Sequence, residues 1–147
     1  MANIMAKLSK LLGTVEDTEA AFYDAISRAD IVALMAIWAD DDEIICIHPG
    51  ASRSVGPAAV RASWEAIFER GGVHIRPVQL HVVQNMLSAI HNIVEEVQRA
   101  DNEAQDLHIL ATNMYIKTPR GWRIVVHHAS IAAGTAPADA LSAAMLH

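Results

Sequence analysis

The sequence predicts an α+β fold, with helices on one face of a mostly antiparallel sheet. Apolar residues recur at helical spacing as far as Phe68, whereas the segments after Gly72 have the alternating or continuous apolar character of strands. The motif TPRG, at 118–121, is a hairpin turn signal between the last two strands. Helices that precede a meander of strands, instead of alternating with single strands, are typical of α+β proteins.

Three helices are expected, and the first two should form a helical hairpin because almost no loop separates them. Thr14 is a suitable N-cap for the first helix and Asp30 for the second. Gly56-Pro57 opens the third helix, and Gly71-Gly72 ends it. The predicted helices are Val15–Ala29, Ile31–Trp38 and Pro57–Phe68.

Five strands are expected. The first, Ile44–His48, is short and rich in β-branched residues, and Pro49-Gly50 breaks it. The other four predicted strands are Val73–Asn85, Ser88–Arg99, Gln105–Lys117 and Trp122–Ala132.

Alternation along the last strand predicts which side chains face the helices. Every second residue of this strand forms a row on one face, and we assign the more apolar of the two rows to the core. The last two residues of that row are polar, so we expect them at the end of the core-facing surface. This row comprises Trp122, Ile124, Val126, His128 and Ser130. The preceding strand is apolar on both faces. One layer of helices covers only one face, so we expect the outer sheet face to be the interface of a two-fold homodimer.

Length and charge limit the classes of function. The 147 residues fit one domain. The formal net charge is -6 and the 11 Lys and Arg residues form no run, which disfavours nucleic-acid binding. The single cysteine, Cys46, excludes an internal disulfide, and no apolar run reaches the ~18 residues of a membrane span. These features predict a soluble, cytoplasmic chain that does not bind membranes.

The expected organisation is a lead-in segment, 1–13, a domain, 14–132, and an Ala-rich tail, 133–147. The lead-in segment has lysines among apolar residues and no uninterrupted apolar stretch, so we expect a short amphipathic helix and not a targeting signal. The tail is expected to be either frayed or docked on a partner.

His48 is the principal candidate for chemistry. It closes the first strand at the expected rim of a pocket, and a histidine titrates near neutral pH, which suits a general base. The alternative is a histidine that bonds the loop backbone and fixes the turn at Pro49-Gly50. Cys46 shares its face, but no obvious positive group would activate the thiol, so packing as a small hydrophobe is expected.

Polar groups of the last two strands are expected to converge if these strands pair across the TPRG turn. Asn113 and His128 would orient a carbonyl or carboxylate oxygen, with Tyr115 and Ser130 beside them. The alternative is a satisfied internal hydrogen-bond network. Four further residues are predicted either to line the pocket or to serve elsewhere, in the core or at the surface: Tyr23, Trp38, Trp64 and Val126.

No metal site or cofactor is predicted. No helix carries the histidine spacing of a zinc site, and the adjacent His127 and His128 should point to opposite faces of their strand. Four histidines have no assigned place: His74, His81, His91 and His108.

The segments CIHPGASRSVGPAAVRASWEAIF and ATNMYIKTPRGWRIVVHHAS, with the helical hairpin before them, closely resemble the SnoaL-like branch of the nuclear transport factor 2-like superfamily. The resemblance covers roughly Val15 to Ile131. It implies a cone, with three helices packed on a strongly curved, mostly antiparallel sheet. It also implies a deep apolar pocket and dimerisation through the outer sheet face.

This superfamily includes ketosteroid isomerases, polyketide cyclases, dehydratases and modules without catalysis. By resemblance, His48 takes the place of the isomerases' general-base carboxylate and Asn113 that of their oxyanion acid. Phe22 takes the place of their oxyanion tyrosine, with Tyr23 one position away. These departures weigh against steroid isomerisation.

The leading hypothesis is therefore a cofactor-independent isomerase, dehydratase or cyclase that transfers a proton on a small apolar carbonyl or carboxyl compound. His48 would accept the proton, while Asn113 and His128 would polarise the oxygen. The alternative is a non-catalytic ligand-binding or oligomerisation module of the same fold.

Overall fold

The computed structural model describes residues 13–98 and 107–133, which form three helices on a six-stranded mixed sheet. The helices are α1 (Val15–Ser27), α2 (Ile31–Ile37) and α3 (Pro57–Phe68). The strands are β1 (Ile45–Ile47), β2 (Ser54–Val55), β3 (Ile75–Gln84), β4 (Ser88–Val97), β5 (Leu107–Thr118) and β6 (Gly121–Ala133). The predicted lead-in helix and the tail after Ala133 lie outside the described residues. None of the helices in the described ranges is long and apolar enough to cross a membrane.

The helix starts follow the capping chemistry of the sequence. Thr14 and Asp17 form a reciprocal capping box, with both hydrogen bonds at 3.2 Å. Asp30 Oδ1 accepts from the backbone N–H of Ala33 at 3.0 Å and so starts α2. α2 ends at Ile37, because Trp38 adopts extended backbone and forms a bridge to Ile124 of β6.

The sheet order is β2-β1-β6-β5-β4-β3. β1 pairs with β6 in parallel, and the other neighbours are antiparallel. The α+β architecture, the three helices and the mostly antiparallel sheet are confirmed. β2 was not predicted, because a two-residue strand is too short to show a periodic pattern.

A β-bulge in β6 reverses the predicted faces of its second half. Tyr115 pairs with Ile124 but Met114 pairs with Val126, so Val125 is an extra residue that faces no partner across the ladder. A one-residue insertion moves every later side chain to the opposite face. The inward assignment of three residues is therefore wrong, and the structure places Val126, His128 and Ser130 on the outer face. His127 and Ala129, which were assigned outward, are buried on the inner face.

The space between the helices and the inner sheet face is filled by aromatic side chains. Phe22 of α1 is completely buried and lies at the centre of this group. Its ring centroid is 5.2 Å from that of Tyr23, 6.4 Å from Trp38 and 5.8 Å from Trp64. The edge-to-face geometry of these contacts is favourable for aromatic pairs, so the two tryptophans serve as core residues.

Candidate functional site

A row of polar side chains crosses the inner sheet face in register. Cys46 of β1 pairs with His127 of β6, His127 with Asn113 of β5, and Asn113 with His91 of β4. All four residues are at most 3% exposed. The sheet therefore presents a line of groups capable of hydrogen bonding to the buried face of α1.

A chain of hydrogen bonds connects this row to α1 and to a buried carboxyl group. Asn113 Oδ1 lies 2.6 Å from His127 Nδ1, and Asn113 Nδ2 donates to the Tyr23 hydroxyl at 3.0 Å. The Tyr23 hydroxyl in turn donates to Glu95 Oε2 at 2.7 Å. Because the amide nitrogen of Asn113 is directed to Tyr23, its oxygen accepts from His127, which fixes the Nδ1–H tautomer of that imidazole.

A second buried carboxyl group lies beside this chain. Glu19 Oε2 accepts from the Tyr115 hydroxyl at 2.7 Å and lies 2.7 Å from His91 Nδ1. His91 Nε2 is buried and has no hydrogen-bond partner among the described residues. Glu19, Tyr23, His91, Glu95, Asn113, Tyr115 and His127 together form what we call the polar layer.

Burial governs the charge of the polar layer. It raises the pKa of Glu95 to about 7, with a smaller contribution from the charge of Glu19 and an opposing effect of the Tyr23 hydrogen bond. It lowers the pKa of His127 to about 3, aided by the charges of His48 and His128. Burial also raises the pKa of both Tyr23 and Tyr115, and the charges of neighbouring glutamates add to the shift. At neutral pH His127 is therefore a neutral imidazole, and Glu95 is close to its midpoint.

His48 lies directly after β1 and is half-buried at the edge of the aromatic group. Its Nε2 is 3.0 Å from Ser63 Oγ, and the Ser63 hydroxyl donates to the Val60 carbonyl at 2.7 Å. Since the hydroxyl proton is directed to Val60, Ser63 Oγ accepts from His48 Nε2–H. Burial lowers the pKa of His48, so the imidazole is neutral at neutral pH.

Cys46 lies on the inner face beside His48, with its Sγ 3.7 Å from His48 Nε2. Burial raises the pKa of the thiol to about 12, although Ser63 and Trp64 oppose the rise. The thiol therefore remains protonated and unreactive, as expected for a buried cysteine that packs as a small hydrophobe.

The predicted site residues are only partly brought together. The His48 and His127 ring centroids are 6.4 Å apart, and the Trp64 ring is 4.5 Å from the first and 5.7 Å from the second. Phe22 lies 5.2 Å from His127. The Trp64 ring thus packs against both imidazoles, and the predicted place of His128 on the inner face is taken by His127.

Five of the predicted residues lie inside the fold: Tyr23, Trp38, Trp64, Asn113 and Tyr115. Sequence reasoning missed Glu19, His91, Glu95 and His127 of the polar layer. Two signals were available. Glu19 lies on the buried stripe of α1 between Val15 and Phe22, and His91 and Glu95 alternate with apolar residues along β4.

No cluster of three or more histidine, cysteine, aspartate or glutamate side chains in residues 13–98 and 107–133 could hold a metal ion. The polar layer is instead a set of hydrogen-bonded pairs. Its chemical capacity is that of proton donors and acceptors, with Glu95 able to hold or release a proton near pH 7.

Comparison with solved structures identifies the same fold in several proteins. One from Thiobacillus denitrificans, described as a candidate calcium/calmodulin-dependent protein kinase type II association domain, is 37% identical, with a TM-score of 0.73; the match covers 82% of this chain and 96% of that one. A candidate dehydratase from Streptomyces avermitilis is 26% identical, with a TM-score of 0.70 and coverage of 84% and 94%. A candidate ketosteroid isomerase from Parabacteroides distasonis is 15% identical, with a TM-score of 0.66 and coverage of 84% and 96%. The last of these shows the fold alone.

No curated protein sequence matches this chain. The model of the SnoaL-like domain matches residues 15–134, which include every helix and strand described above. With its nuclear transport factor 2-like fold, this chain belongs to the SnoaL-like domain family.

Proposed function

We propose that this chain is a non-catalytic association module that forms a two-fold homodimer through the outer sheet face. The observation that carries the proposal is the pattern of side chains on that face, the surface of β3–β6 opposite the helices. Two features elsewhere support it. The polar layer bonds largely within itself, and the rings of Phe22 and Trp64 pack against its His127.

The outer sheet face carries two apolar rows with a polar row between them, each crossing four strands in register. The first apolar row is Val83, Ile90, Met114 and Val126, and the second is Val78, Val94 and Leu110, ending in Ser130. The polar row between them is His81, Asn92, Thr112 and His128.

The first row is accessible in the isolated chain. Val83 is 61% exposed and Ile90 is 38% exposed, while Met114 and Val126 are half-buried. Contiguous exposed apolar surface is typical of an interaction site. A two-fold axis along the polar row would place each apolar row of one copy on the other apolar row of its partner, which is the self-complementarity that a dimer requires.

The comparison with the Thiobacillus denitrificans protein supports association as the role of this chain. That protein is described as an association domain, and this chain spans nearly its whole length. A second copy of the chain is thus the partner that we assign to the outer rows.

The test uses a matched pair of valine substitutions. Val83→Glu places a charge in the first apolar row and should convert the dimer to a monomer in sedimentation velocity. Val32→Glu, on α2 and 70% exposed, is the control and should leave the dimer intact. A dimer that survives Val83→Glu, with both variants folded by circular dichroism, would refute this interface.

A proton-transfer enzyme is the second candidate, and the Tyr23–Glu95 pair favours it. A carboxyl group with a pKa of about 7, bonded to a tyrosine, suits acid–base chemistry near neutral pH. The substrate would be a small apolar carbonyl or carboxyl compound, converted by isomerisation, dehydration or cyclisation, with His48 as proton acceptor.

For this candidate, His48→Ala should abolish turnover of a bound carbonyl compound and leave its affinity largely intact. Asn113→Ala would act differently, because it removes the amide that links His127 to Tyr23. Turnover that persists in His48→Ala would exclude His48 as the base.

A further inference from the structure

A large cleft beside the β5–β6 turn is lined by none of the residues that form the rows of the outer sheet face. It has a volume of about 920 Å3 and lies between α2, the start of α3 and the turn. Most of its wall is apolar, and its larger apolar residues are Met35, Trp38, Ile44, Ile116 and Pro119. The cleft therefore suits the apolar part of a small molecule.

Arg123 is the unusual group in this wall. The residue is only 8% exposed, yet its guanidinium makes a single hydrogen bond among the described residues, from Nη1 to the carbonyl oxygen of Trp122 at 2.9 Å. No carboxylate within the described ranges lies within 4.0 Å of its guanidinium. A guanidinium has five N–H donors, and a buried charge without a counter-ion is costly. Arg123 thus presents an uncompensated positive charge at the cleft.

The other charged groups of the cleft are exposed. Arg61 is already paired with Glu65, at 2.8 Å, whereas the side chain of Arg120 has no partner within the described residues. Asp40 and Asp41 also line the cleft and would repel an anion. Their effect is weakened because solvent screens exposed charges more strongly than buried ones.

We propose that the cleft binds a monocarboxylate with an apolar body, held by Arg123 through its carboxylate group. The planar guanidinium matches a carboxylate with two parallel hydrogen bonds. Asp40 and Asp41 disfavour a dianion more than a monoanion, so the cleft selects a carboxylate over a phosphate. Arg123 also lines a smaller groove of about 280 Å3, but Asp17 and Asp24 line that groove and make it unsuitable for an anion.

The binding test uses benzoate and benzamide, which have the same shape and differ in charge. Benzoate should bind saturably in an NMR titration, with shifts confined to residues 35–44, 57–61 and 116–123. Benzamide and inorganic phosphate should bind at least tenfold more weakly. This result is independent of the proposed dimer, because the chemical shifts locate the site in either oligomeric state.

Substitution at Arg123 tests the assigned contact. Arg123→Gln should weaken benzoate binding at least tenfold, the size expected from the loss of a hydrogen bond to a charged group. Arg123→Lys should retain part of the affinity because it keeps the charge. Arg70→Gln, at an exposed arginine outside the cleft, should leave affinity unchanged.

Equal affinity for benzoate and benzamide, tighter binding of phosphate, or unchanged affinity in a folded Arg123→Gln variant would each overturn the proposal. If Arg123→Gln does not fold, the titration of the wild-type chain decides. Shifts outside the cleft, or no saturable binding of benzoate, would then refute it.

Discussion

Replacing the buried carboxyl group of Glu95 by an amide should stabilise the protein above neutral pH. Glu95→Gln keeps the shape of the side chain and an oxygen that can accept the hydrogen bond from Tyr23. It removes the charge that the wild-type carboxyl group acquires as pH rises, at a position that is 2% exposed. The stabilisation should therefore be present at high pH and fade as the solution is acidified.

The magnitude follows from the pKa of this group. In the native state it titrates at about 7, against an ordinary value of 4.5. Its contribution to stability is therefore fully present below pH 4.5 and is lost as pH rises through 7. At 1.36 kcal/mol per pKa unit, this difference corresponds to roughly 3 kcal/mol of unfolding free energy.

His127 contributes with the opposite sign, which makes a comparison between variants necessary. Burial lowers its pKa from 6.5 to about 3, so its contribution is present above pH 6.5 and is lost as pH falls toward 3. The pH ranges in which the contributions of Glu95 and His127 to stability change overlap between pH 4.5 and pH 6.5. Because Glu95→Gln leaves His127 in place, the difference between the variant and the wild type isolates the carboxyl group.

The assay is urea unfolding at pH 4.5 and pH 8. We expect Glu95→Gln to exceed the wild type by about 3 kcal/mol at pH 8 and to differ little at pH 4.5. Glu96→Gln, at the neighbouring half-buried residue that pairs with Arg76, should change stability by about 1 kcal/mol or less. A difference between wild type and Glu95→Gln that does not change with pH would refute the assignment of a shifted pKa to Glu95.

Three further predictions follow from buried groups and from backbone packing. His127 should remain a neutral imidazole with its proton on Nδ1 at pH 5, and a nitrogen NMR titration midpoint near 6.5 would contradict this. Gly72→Ala should cost about 3 kcal/mol or more, because the added Cβ would clash with the carbonyl of Ser27. Gly71→Ala is the control, because its added Cβ meets open space and the only cost is that of a positive φ. Equal losses of thermal stability in the Gly71→Ala and Gly72→Ala variants would be inconsistent with this packing. Cys46 should resist thiol reagents until the chain unfolds, and labelling of the native protein at the rate of a free cysteine would exclude the raised thiol pKa.

The fold was predictable because the helices of this chain have apolar stripes along one side, and the first two also begin at recognisable capping residues. The capping box at Thr14 and the cap at Asp30 lie where the sequence placed them. The TPRG turn connects β5 to β6 as expected. These features are local, and local chemistry can be recognised in a single sequence.

The inner and outer faces of β6 could not be assigned correctly, because alternation assumes an unbroken ladder. The bulge at Val125 follows from how β6 pairs with β5, which the sequence of β6 alone does not contain. One unpaired residue was sufficient to exchange His127 and His128 between the faces. The prediction therefore placed His128 on the inner face, where the structure has His127.

The polar layer was missed for a related reason. Its bonds join α1 to β4, β5 and β6, as in the contact of Tyr23 with Glu95, 72 positions away along the chain. A buried glutamate is identified by the tertiary partners that surround it, and Glu95 beside Glu96 resembles a solvated acidic pair in the sequence. An apolar outer face, in contrast, was predicted from β5, whose two faces are both mainly apolar.

The mass of the chain in solution tests the central claim most directly. Sedimentation velocity at micromolar concentration should give about twice 15.9 kDa for the wild type and about 15.9 kDa for Val83→Glu. A wild-type chain that sediments as a monomer over this range would contradict the assignment of the outer sheet face to a second copy.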